Sequence, residues 1–175
     1  MCSSEPDLDS FAQDLKRVYS EQIAEDYSFD ILSYLKQTDP RLDNFLGSHS
    51  ITKSLRAKMV DWMIEVLSSY KMSEDSFFRS VSFMDEYLKH EGQAQETKDI
   101  HLIGVASMFS AMKYEEIHPL RLSLITEKIA RKKFTREEII SKESRVMQVL
   151  GFCLNSSTVF DVVKLISRNC SLYSD

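Results

Sequence analysis

Hydrophobic residues recur with the period of an α-helix along most of this chain. In the segment from about Lys53 to Tyr70, apolar side chains cover more than half of the helical circumference. The polar side chains of this segment share one narrow strip, which consists of Lys58, Asp61, Glu65, Ser68 and Ser69. A helix that is apolar on most sides is expected to be surrounded by other helices. We therefore predict that Ser54–Tyr70 is the central buried helix of an all-α domain.

Further helical patterns lie on both sides of this segment. They span about 11–24 and 27–36 before it, and 73–90, 97–115, 120–131, 135–150 and 158–168 after it. Between Ile100 and Met112 there is no Asp, Glu, Lys or Arg, and small residues such as Gly104 allow close helix approach. We predict that this helix is buried on all sides. The whole pattern predicts five helices bundled around a central buried helix, with an N-terminal helical arm.

Capping residues mark where several of these helices begin and end. Thr52 is the predicted N-cap of the first bundle helix, and Ser73 begins the next one, with two acids in its first turn. The segment from Thr135 to Glu138 has the pattern of a capping box. Pro40 ends the helix of the arm, because the residue before a proline is disfavoured in the α conformation.

Charge and composition exclude several classes of function. The chain has a net charge of −5, and its first 50 residues hold ten of the 27 acids but four of the 22 bases. The remainder is nearly neutral, which is a poor electrostatic match for nucleic acid. No apolar run approaches the length of a membrane span, and the acidic leader does not resemble a secretory signal. Three widely spaced cysteines predict free thiols.

Two charged residues interrupt otherwise apolar surfaces. Lys113 directly follows the uncharged stretch Ile100–Met112, and Glu143 is flanked at helical spacing by Ile139, Ile140, Val146 and Met147. A buried charge is costly unless it is paired. We therefore predict that Lys113 and Glu143 meet. The pair is interpreted either as a structural salt bridge or as the rim of a pocket that faces a partner's backbone.

The sequence shows no pattern typical of a catalytic or cofactor site. The four histidines are scattered, the four glycines form no phosphate-binding loop, and nothing pairs Cys153 with a base. We therefore expect no metal, no cofactor and no enzymatic activity.

Several separated motifs resemble the cyclin family. Residues 55–63, LRAKMVDWM, resemble the first-helix signature of A- and B-type cyclins, MRAILVDWL. Residues 112–116, MKYEE, resemble the SKFEE segment at the end of the third helix, and Glu143 falls at the position of the fifth-helix glutamate. Residues 26–35 resemble the extra N-terminal helix of these cyclins. Because the motifs occur in the family's order, their combination is more specific than any one of them.

The resemblance implies a role for individual residues. In cyclins a lysine and a glutamate hold the αC helix of a cyclin-dependent kinase in its active position, and Lys113 and Glu143 match them. Further implied kinase contacts are Tyr114, Phe134, Phe152, Ile31 and Tyr34. The implied function is a regulatory subunit that binds and allosterically activates a cyclin-dependent Ser/Thr protein kinase in cell-cycle control, in the nucleus or the cytoplasm. The alternatives are a single-box cyclin-fold adaptor and a kinase binder that does not activate.

The resemblance also implies a docking groove for substrate or inhibitor peptides that carry an Arg-x-Leu motif. The matching residues are Leu55, Met59, Trp62, Glu65, Ile100 and His101. The chain departs from the family here, because Lys58 replaces an isoleucine and Arg131 falls near the position of a second acid. The basic cluster around Arg131 is interpreted as a solvated loop, or as a preference for acidic or phosphorylated ligands.

The resemblance divides the chain into four parts. These are an acidic leader with a helix at 1–25, an N-terminal helix and linker at 26–50, a cyclin box at 51–155, and the start of a truncated second box at 156–175.

Overall fold

A computed structural model describes residues 27–40 and 44–172, with side chains up to residue 167. The regular elements of this part are helical, as the hydrophobic pattern predicts. They are α1 (Ser28–Gln37), α2 (Lys53–Ser69), α3 (Glu74–His90), α4 (Ile100–Glu115), α5 (Leu122–Leu124, continued by a π-helical turn at Ile125–Ile129), α6 (Arg136–Val149) and α7 (Val159–Leu172). The predicted leader at 1–25 and its helix lie outside the described residues.

The predicted helix caps are confirmed. The Thr52 hydroxyl accepts a hydrogen bond from the amide of Leu55, and the Ser73 hydroxyl accepts one from the amide of Ser76. Thr135 and Glu138 form the complete capping box of α6. These side chains accept hydrogen bonds from first-turn amide groups that have no carbonyl partner within the helix. The starts of α2, α3 and α6 can therefore be read from short polar motifs in the sequence.

The central helix of the bundle is α4. Eleven of its sixteen residues are buried, and it packs against α2, α3 and α6. At Gly104 an added Cβ would lie 2.1 Å from the terminal carbon of Met59. The missing Cβ of Gly104 leaves room for the Met59 side chain between α2 and α4, and any larger residue would displace it. The prediction that this uncharged helix is buried on all sides is confirmed from Ile103 to Met112, whereas His101 and Leu102 in the first turn and the residues after Met112 reach the surface.

The prediction that Ser54–Tyr70 is the central buried helix is wrong. Within α2 the buried residues are Met59, Met63 and Leu67, which form one stripe at a spacing of four residues. Outside this stripe Ile64 is 47% exposed, and Trp62 is partly buried. Apolar residues show which sides of a helix can be buried, but the number of neighbouring helices decides how many are.

The predicted helix at 120–131 is present as a helical run over 122–129, but most of it is π-helical. The three α-helical residues of α5 pass into the π-helical turn, in which the amide of Ala130 bonds to the carbonyl of Ile125 at 2.8 Å. Arg131 and Lys132 then adopt left-handed conformations, with φ of 48° and 57°. The chain therefore turns sharply just before Lys133 and Phe134, which the periodicity of the sequence did not indicate.

The described residues form two compact units. One consists of Pro40–Thr158 and contains helices α2 to α6. The other contains α1 and α7, which pack against each other and bury Leu165. On α7 the side chains of Val159, Val163 and Ile166 are exposed. No helix of the described part has the length and apolar character needed to cross a membrane.

Candidate functional site

The predicted pairing of Lys113 and Glu143 is confirmed. The Lys113 ammonium on the last turn of α4 contacts Oε1 of Glu143 on α6. The Ser110 hydroxyl donates to the same oxygen at 3.3 Å. The Glu143 side chain is 12% exposed and the Lys113 side chain 45% exposed. The carboxylate is thus nearly buried, while the ammonium retains contact with solvent.

The surroundings of this pair explain how charged groups are tolerated beside the core. The Lys113 ammonium lies 4.4 Å from the ring centroid of Phe109, one helical turn earlier, which is favourable cation–π geometry. Glu143 lies between the buried Ile139 and Val146 and the more exposed Ile140. The pair therefore occupies the border between the core and the surface, where desolvation of the charges is incomplete.

The pair lies in an open groove of about 350 Å³ between α4, α6 and the segment that follows α6. We call it the charged groove. Its lining residues are Ser110, Lys113, Tyr114, Ile140, Glu143, Ser144, Met147, Phe152 and Leu154. Four of the predicted site residues (Lys113, Glu143, Tyr114 and Phe152) thus line one groove, although they are up to 39 positions apart in the sequence.

The end of α6 directs Phe152 into this groove. Gly151 and Phe152 both adopt a left-handed conformation, with φ of 58° each. The amide of Phe152 bonds to the carbonyl of Met147 at 3.0 Å, so the reversed chain closes the end of the helix. Phe152 is 70% exposed. A non-glycine residue held at positive φ is uncommon, and here it presents an aromatic side chain to solvent beside the charge pair.

Arg79 on α3 supports the walls of the charged groove, and the sequence gave no reason to single it out. Its guanidinium pairs with Glu115 at 2.8 Å, donates to the carbonyl of Ser156, and lies 5.5 Å from the ring centroid of Tyr114. One side chain therefore joins the end of α4 to the segment that carries Phe152 and Leu154. A burial pattern cannot reveal such a contact, because its partners are 36 and 77 positions away.

Glu116 fixes the start of α3 against the end of α4. Its Oε1 accepts hydrogen bonds from the Ser73 amide at 2.8 Å, the Ser73 hydroxyl at 2.8 Å and the Ser76 hydroxyl at 2.7 Å. Burial acts to raise the pKa of Glu116, but these hydrogen bonds outweigh it and hold the pKa below its ordinary value. This glutamate matches the final position of the MKYEE motif and has a structural role.

Arg56, in the LRAKMVDWM motif, also has a structural role. Its guanidinium bonds to both carboxylate oxygens of Asp85 on α3, through Nε at 2.7 Å and through Nη2. Asp85 is buried. Burial raises its pKa, and the contact with Arg56 opposes that rise. This pair joins α2 to α3, so part of the motif that indicates the family serves the fold.

A second surface contains the aromatic side chains predicted for peptide docking. The rings of Trp62 and His101 lie 4.8 Å apart in an edge-to-face arrangement, and those of His101 and Phe134 lie 5.3 Å apart. We call Trp62, His101 and Phe134 the aromatic patch. Phe134 lies here and not among the residues that line the charged groove, and its implied contact with a kinase stays a prediction.

The other predicted docking residues differ in accessibility. Met59 and Ile100 are buried, Leu55 is partly buried, and Glu65 is exposed. The side chains of Met59 and Ile100 therefore support the surface from below. The pKa of His101 lies below its ordinary value. Burial of the imidazole is the larger cause, and the nearby positive charge of Lys133 is the smaller one.

Ile31 and Tyr34 lie on α1, in the other unit. Their side chains are 37% and 49% exposed, respectively. Their predicted kinase contact stays a prediction.

Comparisons with known proteins define the family. The family model described as cyclin, N-terminal domain, matches residues 29–155. The chain is 29% identical over 154 residues to cyclin-A3-2 of Oryza sativa subsp. japonica, with 82% of this chain and 38% of that protein covered. It is 30% identical over 138 residues to the G2/mitotic-specific cyclin-A of Patella vulgata, with 77% and 32% covered. Cyclin-A2 of Homo sapiens is 29% identical over 157 residues, with 87% and 35% covered.

A solved structure supports the same assignment of the fold. The X-ray structure of a viral cyclin from herpesvirus saimiri superposes with a TM-score of 0.73 at 19% identity, covering 85% of this chain and 64% of that one. The fold and the matched sequence define a helical module of the cyclin-box class. The chain belongs to the cyclin family. It spans about a third of the length of the curated relatives it matches.

Proposed function

We propose that this chain is a non-catalytic regulatory subunit that binds a cyclin-dependent Ser/Thr protein kinase through the charged groove and activates it. The observation that carries the proposal is the convergence of Lys113, Glu143, Tyr114 and Phe152 on one concave surface. These positions match those that hold the kinase's αC helix in cyclins. The proposed setting is cell-cycle control in the nucleus or the cytoplasm.

The chemistry of the groove suits a partner helix. A paired ammonium and carboxylate can bond to backbone carbonyl and amide groups of a partner without leaving an unpaired charge in the interface. The exposed rings of Tyr114 and Phe152 offer apolar area for partner side chains between backbone contacts. Aromatic anchors around a desolvated polar centre are typical of the residues that dominate binding energy.

The proposed mechanism is allosteric, and the chain contributes no reacting group. An inactive kinase holds its αC helix in a position where a conserved glutamate cannot pair with the phosphate-binding lysine. A rigid groove that binds the αC helix more tightly in its active position than in its inactive position shifts the kinase toward the active conformation. The free energy of that shift equals the difference between the two binding free energies. The rigidity comes from α4, which is buried along most of its length, and from the Arg79 contacts that join the groove walls. Ile31 and Tyr34 on α1 are proposed as additional kinase contacts.

The aromatic patch, with Leu55, Met59, Glu65 and Ile100 around it, is proposed as a separate docking surface for substrate or inhibitor peptides. The patch is far enough from the charged groove for a peptide and a kinase to bind at the same time. Lys113 and His101 are twelve residues apart on α4, which corresponds to about 18 Å along the helix axis.

The test is capture of kinases on the immobilised chain. We expect Lys113→Ala and Glu143→Ala each to reduce capture by at least about tenfold, since each leaves one charge of a buried contact unpaired. Lys98→Ala is the matched control. Lys98 pairs with Glu96 at 2.9 Å in an exposed ion pair, so its loss should not change capture.

Normal capture by both groove variants would exclude the charged groove as the kinase interface. A phosphotransfer assay on the captured kinase then separates activation from binding alone. Capture without increased phosphotransfer would identify a kinase binder that does not activate, and capture of other proteins without any kinase would identify a cyclin-fold adaptor.

A further inference from the structure

A run of basic residues leads into the aromatic patch along the chain and contacts it through Lys133. Residues 128–136 contain five bases and no acid, namely Lys128, Arg131, Lys132, Lys133 and Arg136. All five are exposed. Lys133 approaches the patch directly, with its ammonium 5.4 Å from the ring centroid of Phe134. A positive field thus borders the rings on the side of the α5–α6 connection.

A base on α2 lies one helical turn from Trp62. On α2, Lys58 is four residues before Trp62, and Glu65 is three residues after it, so all three lie on one face of the helix. Lys58 and Glu65 are both exposed. The exposed Asp61 lies on the same polar strip of α2 as Lys58 and Glu65, so two acids flank Lys58 there, and the five bases of residues 128–136 supply most of the positive charge near the patch.

Among the described residues these bases form no close ion pairs, although the exposed acids Glu127 and Glu137 lie at the two ends of the basic run. Within the part of the chain that the structure describes, none of Lys58, Lys128, Arg131, Lys132, Lys133 and Arg136 forms an ion pair with a carboxylate. The nearby Glu138 bonds to the amide of its own N-cap residue Thr135 at 2.7 Å. The charged ends of these bases therefore remain available to pair with an anionic ligand.

The backbone holds the turn that carries these bases. Lys132 and Lys133 donate their amides to the carbonyls of Thr126 and Ala130, both at 2.9 Å. Arg131 and Lys132 occupy left-handed conformations within this bonded turn. The backbone positions that carry Arg131, Lys132 and Lys133 are thus fixed before a ligand arrives, so binding orders the side chains but not the turn.

We infer that the aromatic patch binds an extended acidic peptide, in which one apolar side chain contacts Trp62, His101 and Phe134 while flanking carboxylates or phosphoserines contact the surrounding bases. Charge complementarity supports this occupant over an Arg-x-Leu peptide, whose arginine would meet Lys58 and the 128–136 bases. The inference rests on the proposed docking role of the patch and does not depend on kinase binding by the charged groove.

Trp62 allows the inference to be tested directly. It is the single tryptophan of the chain, so its fluorescence reports occupancy of the patch without a label. The probe is a synthetic peptide with one leucine between aspartates and phosphoserines, free of tryptophan and tyrosine. Comparison peptides replace the anionic residues by asparagine and serine, replace the leucine by glycine, or carry an Arg-x-Leu motif. All titrations use the full chain without kinase, so failure here leaves the kinase-capture result untouched.

The chain offers a matched pair of charge-reversal variants. Lys132 and Lys71 are both exposed lysines in left-handed conformations, with φ of 57° and 56°. Lys132 lies among the bases beside the patch, and Lys71 follows the end of α2. We expect Lys132→Glu to weaken the acidic peptide about tenfold at low salt, with the loss shrinking as salt is added. Lys71→Glu should change the affinity less than about twofold.

The expected order of affinity is acidic peptide, then its neutral counterpart, then the Arg-x-Leu peptide. Tighter binding of the Arg-x-Leu peptide would overturn the inference, and so would equal losses in Lys132→Glu and Lys71→Glu. Equal affinity of the leucine and glycine versions would show nonspecific attraction of a polyanion and would also overturn it. A calorimetric titration gives the same affinities independently of fluorescence.

Discussion

The charged groove and the aromatic patch lie on the same bundle but use charge in opposite ways. In the groove, Lys113 is paired with Glu143, and the local charge is nearly cancelled. Beside the patch, Lys58 and the bases of residues 128–136 have no such partner among the described residues. A neutralised polar groove suits the uncharged backbone of a partner helix, whereas unpaired bases favour an anionic peptide.

The two surfaces depend differently on the core. The groove is supported by side-chain contacts that cross between α3, α4 and the segment after α6, chiefly those of Arg79. The patch rests on apolar packing between α2 and α4, where Met59 contacts Gly104. The two surfaces are about 18 Å apart along α4. We therefore expect that a mutation in the residues that support one surface leaves ligand binding at the other surface unchanged.

The largest effect is expected from Gly104→Val, which tests the support of the patch. The new side chain would overlap Met59 and approach Met63, whose terminal carbon is 3.1 Å from the ideal Cβ position. We expect the free energy of unfolding to fall by about 2–3 kcal/mol. Urea denaturation measures this change, and Trp62 fluorescence of the native variant should differ from that of the parent.

Gly92→Val is the control for that substitution. No atom lies within 4 Å of a Cβ at Gly92, so its free energy of unfolding should change by less than about 0.5 kcal/mol. Equal stability of Gly104→Val and the parent would show that α2 and α4 can separate at little cost.

The next effect concerns Glu116→Gln and its pH dependence. Because the pKa of Glu116 is lower when folded than when unfolded, its contribution is fully present above the ordinary pKa of 4.5. That contribution is lost as pH falls through the folded pKa. At neutral pH we expect Glu116→Gln to lower the free energy of unfolding by about 1–2 kcal/mol. The difference between parent and variant should shrink below about pH 4, as measured by urea denaturation across pH.

A difference between parent and Glu116→Gln that stays constant from neutral to strongly acidic pH would contradict this account. It would show that the carboxylate's charge contributes nothing to the hydrogen bonds from Ser73 and Ser76. Glu127→Gln is a suitable control, because Glu127 is exposed on the π-helical turn away from these serines.

Arg79→Met tests the support of the charged groove. It keeps a flexible stem but removes the ion pair with Glu115, the bond to the Ser156 carbonyl and the contact with Tyr114. We expect kinase capture to weaken about fivefold, since the groove walls lose their connection, while acidic-peptide binding at the patch stays unchanged. The exposed Arg121→Met is the control. An equal loss in both assays would show a general loss of structure.

The smallest effect is expected in the titration of His101. Lys133→Gln removes a positive charge that lowers the pKa of His101, so the pKa should rise. It should remain below the ordinary value, because burial is the larger cause and persists in the variant. Titration of the imidazole by NMR measures both values. An unchanged pKa would show that Lys133 does not exert its charge on the patch.

Much of the charged groove could be predicted because its central residues break a local pattern. Lys113 directly follows an uncharged stretch, and Glu143 interrupts an apolar face, so the cost of burying charge required them to meet. Arg79 gave no such signal, because an arginine on a helix face is ordinary until its partners are known. The positions of Phe134 and Phe152 depend on left-handed residues that hydrophobic periodicity cannot indicate.

By itself, the sequence determined most of the described helices, their caps, the resemblance to the family and the charge pair. These follow from local periodicity, from short capping motifs and from the energetic cost of an isolated charge. Only the tertiary structure decided that α4, and not α2, is the central helix. It also decided that Phe134 joins Trp62 and His101 beside unpaired bases. Both outcomes depend on how many neighbours surround each helix and on the turn after α5, which are set by packing between distant segments.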